Sequence, residues 1–349
     1  MTSGKTEIAR RTLIGATGSL LAAPMILRGT ALAQENAVYI STYGGAWTAA
    51  ELEYVFKPFT EKTGIRVMPV LGASLAKVKA FVQTKDYDYD VAGIEFFQAQ
   101  ADGLVEPVDE KVIDLSVVPD VLRNGYGFRG IAFSSVMVYR KDKFPNGGPK
   151  TWADFWDVKR FPGKRSLNPR ANVALQFALL ADGVPPDKIY PLDLDRAFKK
   201  LDEIKPHITV WWTATAQALT LMRDNEVDIM SMWNSDAQTL VDQGLPVQIE
   251  WHGADLARGS KYVVRGSPRA KNGFKLIEAF CDAKNLAGFC QATSQGSLHP
   301  DSVKYMSKEA VMKSPTSPEH LAVAVNADDE WLAPRIDKIK ERFTQWMAT

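Results

Sequence analysis

Two periods of apolar residues alternate along the chain from Ala37 onward, and their order predicts the architecture. Residues 37–42 read as a strand, residues 49–63 carry apolar positions at helical spacing, and Gly64 stops that helix. A β-branched run at 65–70, a short helix at 75–83 and an apolar strand at 89–94 follow. Strands separated by helices predict a mostly parallel sheet flanked by helices, which sets the class as α/β. Residues 128–139 then read as extended. A stretch rich in glycine and proline occupies 144–150, and Thr151 stands where it caps a helix over 152–156. The first crossing between two lobes is expected there.

A second α/β unit is expected over 167–251, with helices at 172–180 and 194–204. Within it, strands at 207–212, 227–233 and 247–251 alternate with helices at 214–223 and 236–243, which reads as a compact βαβαβ series. The chain returns through 261–264, and residues 274–290 read as a helix rejoining the first lobe. The expected plan is a first lobe from 34 to 138, a second lobe from 139 to 260, and a return to the first lobe with C-terminal helices over 261–349. In open parallel sheets ligands lie beyond the carboxyl ends of the strands. That rule singles out Trp212-Thr213, Trp233-Asn234-Ser235 and Trp251-His252.

A length of 349 residues fits two lobes better than one core. The 42 basic and 41 acidic side chains nearly cancel, so no long-range field would hold nucleic acid or an anionic bilayer. Cys281 and Cys290 lie nine residues apart in a helical stretch. An unbroken helix would separate them by about 13 Å, too far for a disulfide, so buried thiols are expected. Before all this, Arg10-Arg11 precede an apolar run from 12 to 27, and Ala31-Leu32-Ala33 stands before Gln34. That order is a secretory leader over residues 1–33, its paired arginines resembling a twin-arginine signal, and it predicts export to the periplasm.

Several residues could meet a ligand. Tyr43-Gly44-Gly45-Ala46-Trp47 joins the first strand to the first helix, where glycines admit a ligand to the backbone and Tyr43 and Trp47 supply flat walls. A tight turn with two core aromatics is the alternative. Glu95 ends the strand at 89–94 and would either meet a ligand amine or pair with a lysine. Ser135, beside Ser134, falls in the crossing. Asn168-Pro169-Arg170-Ala171-Asn172 opens a helix, and an arginine beside free helix N–H groups makes an anion site, so Arg170 suggests a carboxylate. Arg258, and with it Lys261, could add positive charge from the return crossing. His207, His252, His299 and His320 lack metal-ligand spacing, and neither CxxC nor HExxH occurs, so no metal or other cofactor is expected. For an enzyme on the same fold, Glu95 with His252 is the one acid/base pair to nominate.

The chain resembles the spermidine/putrescine-binding family of ABC-transporter receptors over nearly all of 37–349. The resemblance rests on Tyr43 to Trp47, on 59–65, on 87–91, on 151–156 leading to Pro162-Gly163-Lys164, on Met232-Trp233-Asn234 and on 247–251. It implies a two-lobed type II periplasmic-binding-protein fold that closes on a small-molecule solute, works as a monomer and delivers to an inner-membrane ABC permease. Tyr43, Trp47 and Trp233 match the family's aromatic pattern, with Trp212 and Trp251 as neighbours. Where its polyamine binders carry acidic side chains at a helix start, this chain has Arg170 and Val173. A buried arginine repels a diamine and favours a carboxylate. The expected ligand is therefore a small polar solute, carboxylate-bearing or zwitterionic, with polyamine as the alternative. A related ferric-iron branch uses adjacent tyrosines, and Trp211-Trp212 stand at the nearest place here. Hinges are expected near Val136 and Tyr262.

Overall fold

Five of the six residues of β1 (Ala37–Thr42) are buried, as a strand covered on both faces requires. In the computed structural model, which describes residues 36–349, β1 pairs in parallel with β2 (Arg66–Leu71) and β3 (Val91–Ala92). The leader expected over residues 1–33 lies outside the described residues. The remaining strands are β4 (Arg123–Asn124), β5 (Gly127–Arg140), β6 (Arg165–Leu167), β7 (Ile208–Trp211), β8 (Ile229–Trp233), β9 (Val247–Val263), β10 (Gly296–Ser297) and β11 (Val325–Asn326). Their hydrogen-bonded order is β2-β1-β3-β9-β5-β8-β6-β7, with β4 and β10 on β5 and β11 on β9.

Two long antiparallel strands join two bodies of core. Phe128 of β5 and Val263 of β9 pack with Val38, Ile40, Phe56 and Phe274 in the first lobe. At their other ends, Met137 and Tyr139 of β5 join the second-lobe core around Trp152, Phe155 and Phe177, while Val247 and Ala254 of β9 pack with Met230 and Met232. Trp152 lies flat on Phe177, with centroids 3.5 Å apart, and its Nε1 donates to the carbonyl of Gly253.

Three expectations change. Residues 247–251 and 261–264 are not separate strands but the two ends of β9, which runs antiparallel to β5 and does not pair with β8. The βαβαβ series is therefore parallel only through β6, β7 and β8. Gly253, inside β9, takes φ +69° opposite a register shift between Ser135 and Met137. The strand expected at 89–94 keeps only Val91–Ala92 as strand. Lastly, the helix at 274–290 is two, Ala270–Phe280 and Ala283–Thr293, because Asp282 accepts from the amides of Lys284 and Asn285 and starts a new helix after Cys281. Both cysteines are buried and free, and burial pushes the Cys281 thiol up to about 12.

The C-terminal helices divide. Ala270–Phe280 packs Phe274 and Ile277 into the first lobe, whereas Ile336–Ala348 sets Ile339 and Phe343 against Phe198 and Leu201 in the second.

Candidate ligand-binding site

The loop after β1 reaches the cleft through two left-handed glycines, Gly44 at φ +83° and Gly45 at φ +54°. A Cβ at Gly45 would meet nothing within 4 Å, so conformation rather than crowding selects glycine there. Tyr43 and Trp47 meet edge to face at 5.3 Å, and Trp47 continues onto Phe289 at 4.9 Å. The Tyr43 ring is 55% exposed, yet its hydroxyl donates to the carbonyl of Gly93 at 3.3 Å. Burial of that hydroxyl, with the Glu51 carboxylate adding to it, pushes its pKa up to about 12.

Facing this loop is Arg170, whose backbone N–H is held by Asn168 Oδ1 at 2.8 Å just before the Ala171–Ala181 helix. Its guanidinium lies 5.3 Å from the ring centre of Trp233 and has no carboxylate partner among the described residues. Arg170 is close enough to Tyr43 to oppose the rise in that hydroxyl's pKa, so the two lobes meet electrostatically at this point.

The floor comes from the crossing strands. Ser135 of β5 stands opposite Asp255 of β9 and also opposite Trp233 of β8, and both Ser135 and Asp255 are buried. The two Asp255 oxygens have no hydrogen-bond partner as placed, and neither does Gln176 Oε1, while Gln176 Nε2 contacts the Tyr190 hydroxyl at 2.5 Å. Turning this amide end for end lets Tyr190 donate to Gln176 and Gln176 donate to Asp255. One Asp255 oxygen is still left without a donor. Burial holds its carboxyl well above the usual carboxylate range, against the pull of Arg170 and Arg258. Asp329 is pushed up to about 6 by burial and by Asp255, with Arg258, Arg129 and Arg170 opposing. Asp236, three residues beyond Trp233, is pushed up to about 7 by burial alone.

The sequence-predicted residues therefore separate. The structure brings Tyr43 and Trp47 together, sets Arg170 over Trp233, and places Arg170 within electrostatic reach of Tyr43. Asn234 is buried with both ends of its amide engaged: Oδ1 accepts from Ser134 N at 2.8 Å and Nδ2 donates to the Ser294 carbonyl at 2.6 Å. Trp212 is 2% exposed and donates to the Ser231 carbonyl inside the second-lobe core. Trp251 stacks on His320 at 3.8 Å, and Arg258 donates to Asn326 Oδ1 at 2.7 Å. Glu95 takes the lysine: it is ion-paired to Lys340 at 2.5 Å. Sequence reading missed Asp255, Asp236, Asp329, Gln176 and Tyr190. Asp255 falls between the strands expected at 247–251 and 261–264, in residues to which the sequence pattern assigns no element.

The chain matches the family model described as bacterial extracellular solute-binding protein over residues 55–318. It is 30% identical over 329 residues to the γ-aminobutyric acid-binding protein of Pseudomonas aeruginosa, covering 91% of this chain and 93% of that one. Among solved structures, an ABC transporter substrate-binding protein from Bradyrhizobium japonicum USDA 110 superposes with a TM-score of 0.85 at 31% identity, covering 89% of this chain and 99% of the other. The periplasmic binding protein AgtB of A. tumefaciens R10, solved with agropinic acid, gives 0.80 at 28% identity, covering 90% and 99%. A two-lobed α/β body and these matches lead to one assignment: the chain belongs to the bacterial extracellular solute-binding protein family and is a receptor for a small solute.

Proposed function

We propose that the chain is exported and serves, as a monomer, the solute receptor of an ABC importer, capturing a small zwitterionic acid between its lobes. The observation that carries this reading is the uncommitted guanidinium of Arg170 set near a desolvated carboxyl short of donors, Asp255. A solute carboxylate gains a bidentate partner at Arg170. Its ammonium group supplies the countercharge that a buried carboxylate otherwise lacks. Tyr43, Trp47 and Trp233 then form apolar walls for the carbon chain between the two charges.

The relatives point the same way. The named ligands of two of them are γ-aminobutyric acid and agropinic acid, and the polyamine alternative is not favoured. Export, along the twin-arginine route, is supported by Arg10-Arg11 and the small residues before Gln34. No helix among the described residues is long and apolar enough to cross a membrane.

Calorimetric titration of the leaderless chain with γ-aminobutyrate, butyrate and putrescine tests the reading. γ-Aminobutyrate is expected to bind tightest. Arg170→Met should weaken both γ-aminobutyrate and butyrate by about tenfold or more, whereas Asp255→Asn should weaken γ-aminobutyrate and spare butyrate. Putrescine binding tighter than γ-aminobutyrate would overturn the assignment of charge.

A further inference from the structure

The aromatic loop is fastened to strand β9 by a chain of buried and half-buried polar side chains. Glu51, at the end of the Gly45–Glu51 helix, is 0% exposed. Its Oε1 accepts from Lys261 Nζ at 2.8 Å, and its Oε2 accepts from Thr42 Oγ1 at 2.6 Å. Thr42 Oγ1 lies 2.7 Å from Thr48 Oγ1, which accepts from the amide of Gly44 at 2.9 Å. Only one proton arrangement satisfies every contact. The Gly44 amide donates to Thr48, Thr48 to Thr42, and Thr42 to the carboxylate, while Lys261 donates from the opposite side. Every donor points toward Glu51, so the chain requires an acceptor on both of its oxygens.

Both ends of the chain are informative. Lys261 sits on β9, opposite Phe128 of β5, in the strand pair that joins the lobes, and its ammonium lies 4.8 Å from the ring centre of Phe280. Gly44 stands between Tyr43 and the helix that carries Trp47, in a backbone conformation that its own amide bond to Thr48 holds. Directly after Glu51 the helix widens into a single π-turn over Leu52–Phe56, a feature that clusters at functional sites. A buried ion pair is a weak source of stability compared with an apolar pair of the same volume, so stability gives little reason for this one.

We infer that Glu51 is a positioning residue for solute capture, tying the Tyr43–Trp47 loop to the hinge strand through Thr42, Thr48 and Lys261. The inference rests on the reading that this loop faces the solute. Glu51→Gln replaces one required acceptor by a donor and forces the Thr42–Thr48 bond to reverse. Thr48→Val cuts the chain one link from Gly44, leaves the ion pair in place and keeps the side chain's shape.

The test has two readouts. The first, which needs no ligand, is hydrogen exchange at the Gly44 amide: Thr48→Val should lose at least tenfold protection there, and Glu51→Gln, in which Thr48 still accepts from Gly44, a smaller but measurable amount, while the β1 amides stay protected in both. The second is γ-aminobutyrate affinity by calorimetry, expected to fall about five- to tenfold in both variants, as loss of one hydrogen bond to a positioned group implies. The doubly apolar variant Glu51→Leu/Lys261→Met separates positioning from scaffolding, because it should regain the wild-type melting temperature without regaining affinity. Wild-type protection at Gly44 in Thr48→Val, or affinity that follows melting temperature across the set, would overturn the inference. If the wild-type chain binds none of γ-aminobutyrate, butyrate and putrescine, the proposed function fails by itself. Gly44 exchange then still decides whether Glu51 holds the loop.

Discussion

A carboxylate in the first turn of a helix ordinarily gains from the helix's N-terminal end, yet Asp236 in the first turn of Asn234–Asp242 is pushed up to about 7. Burial outweighs the helix here. The consequence for stability has a definite sign. An acid whose folded pKa lies above its unfolded value of about 4 holds its proton more tightly when folded, so its contribution favours folding at low pH and is lost as pH rises toward 7. Asp236→Asn should therefore stabilise the free protein at pH 8 by about 1–2 kcal/mol, and the gain should shrink toward pH 5, which thermal melts at the two pH values would show. Melts that differ equally at both pH values would mean that Asp236 titrates normally. The same substitution is expected to weaken γ-aminobutyrate where butyrate is unaffected, a gain of stability against a loss of binding.

Among the elements, the five-residue helix Trp152–Trp156 is far too short to be stable alone, and its ends explain why it forms. Thr151 accepts from the Asp154 amide, and Asp154 returns the bond to the Thr151 amide. Arg165, 1% exposed, donates from Nε to the carbonyl of Phe155 at 2.8 Å and also reaches the carbonyls of Phe161 and Gly163. What the helix presents is Trp152, which stacks on Phe177 and grips β9 at Gly253, so the cap of one short helix supports the strand that bears Asp255. Thr151→Ala should cost about 1 kcal/mol, seen as a lower urea midpoint at unchanged slope. Trp152→Ala should cost about 3–5 kcal/mol, since a fully buried indole leaves a cavity behind.

For the whole molecule, closure is the motion that the architecture permits. β5 and β9 run through both bodies of core, and the register shift at Ser135–Met137 falls where they pass from one body to the other. Among the contacts between lobes away from β5 and β9 are few-atom links, Asn234 to the Ser294 carbonyl, Lys340 to Glu95 and Lys313 to Asp242. Such links can form and release as the equilibrium shifts. Saturating γ-aminobutyrate is expected to reduce the radius of gyration in small-angle scattering and to shift tryptophan emission. That shift should survive Trp212→Phe, because the Trp212 ring is sealed in the core, and should diminish in Trp47→Phe and Trp233→Phe, whose rings are partly exposed at the cleft.

Local pattern alone determined the class, most helices and strands, and the turn between the first strand and the first helix, because apolar period, caps and glycine stops act within a few residues of one another. The helix at 194–204 and the Thr151 cap were legible for that reason. So was the position of Arg170 just before the Ala171–Ala181 helix, since a helix start is a local feature. Tertiary structure alone decided that residues 247–263 are one strand, because its register is set by a partner more than a hundred residues earlier in the chain. It also decided that Trp212 is core, that Glu95 is paired to Lys340, and that Asp255 lies against Gln176 and Arg170. Burial and charge pairing are properties of neighbours distant in sequence, and the site's carboxyls owe their chemistry to both.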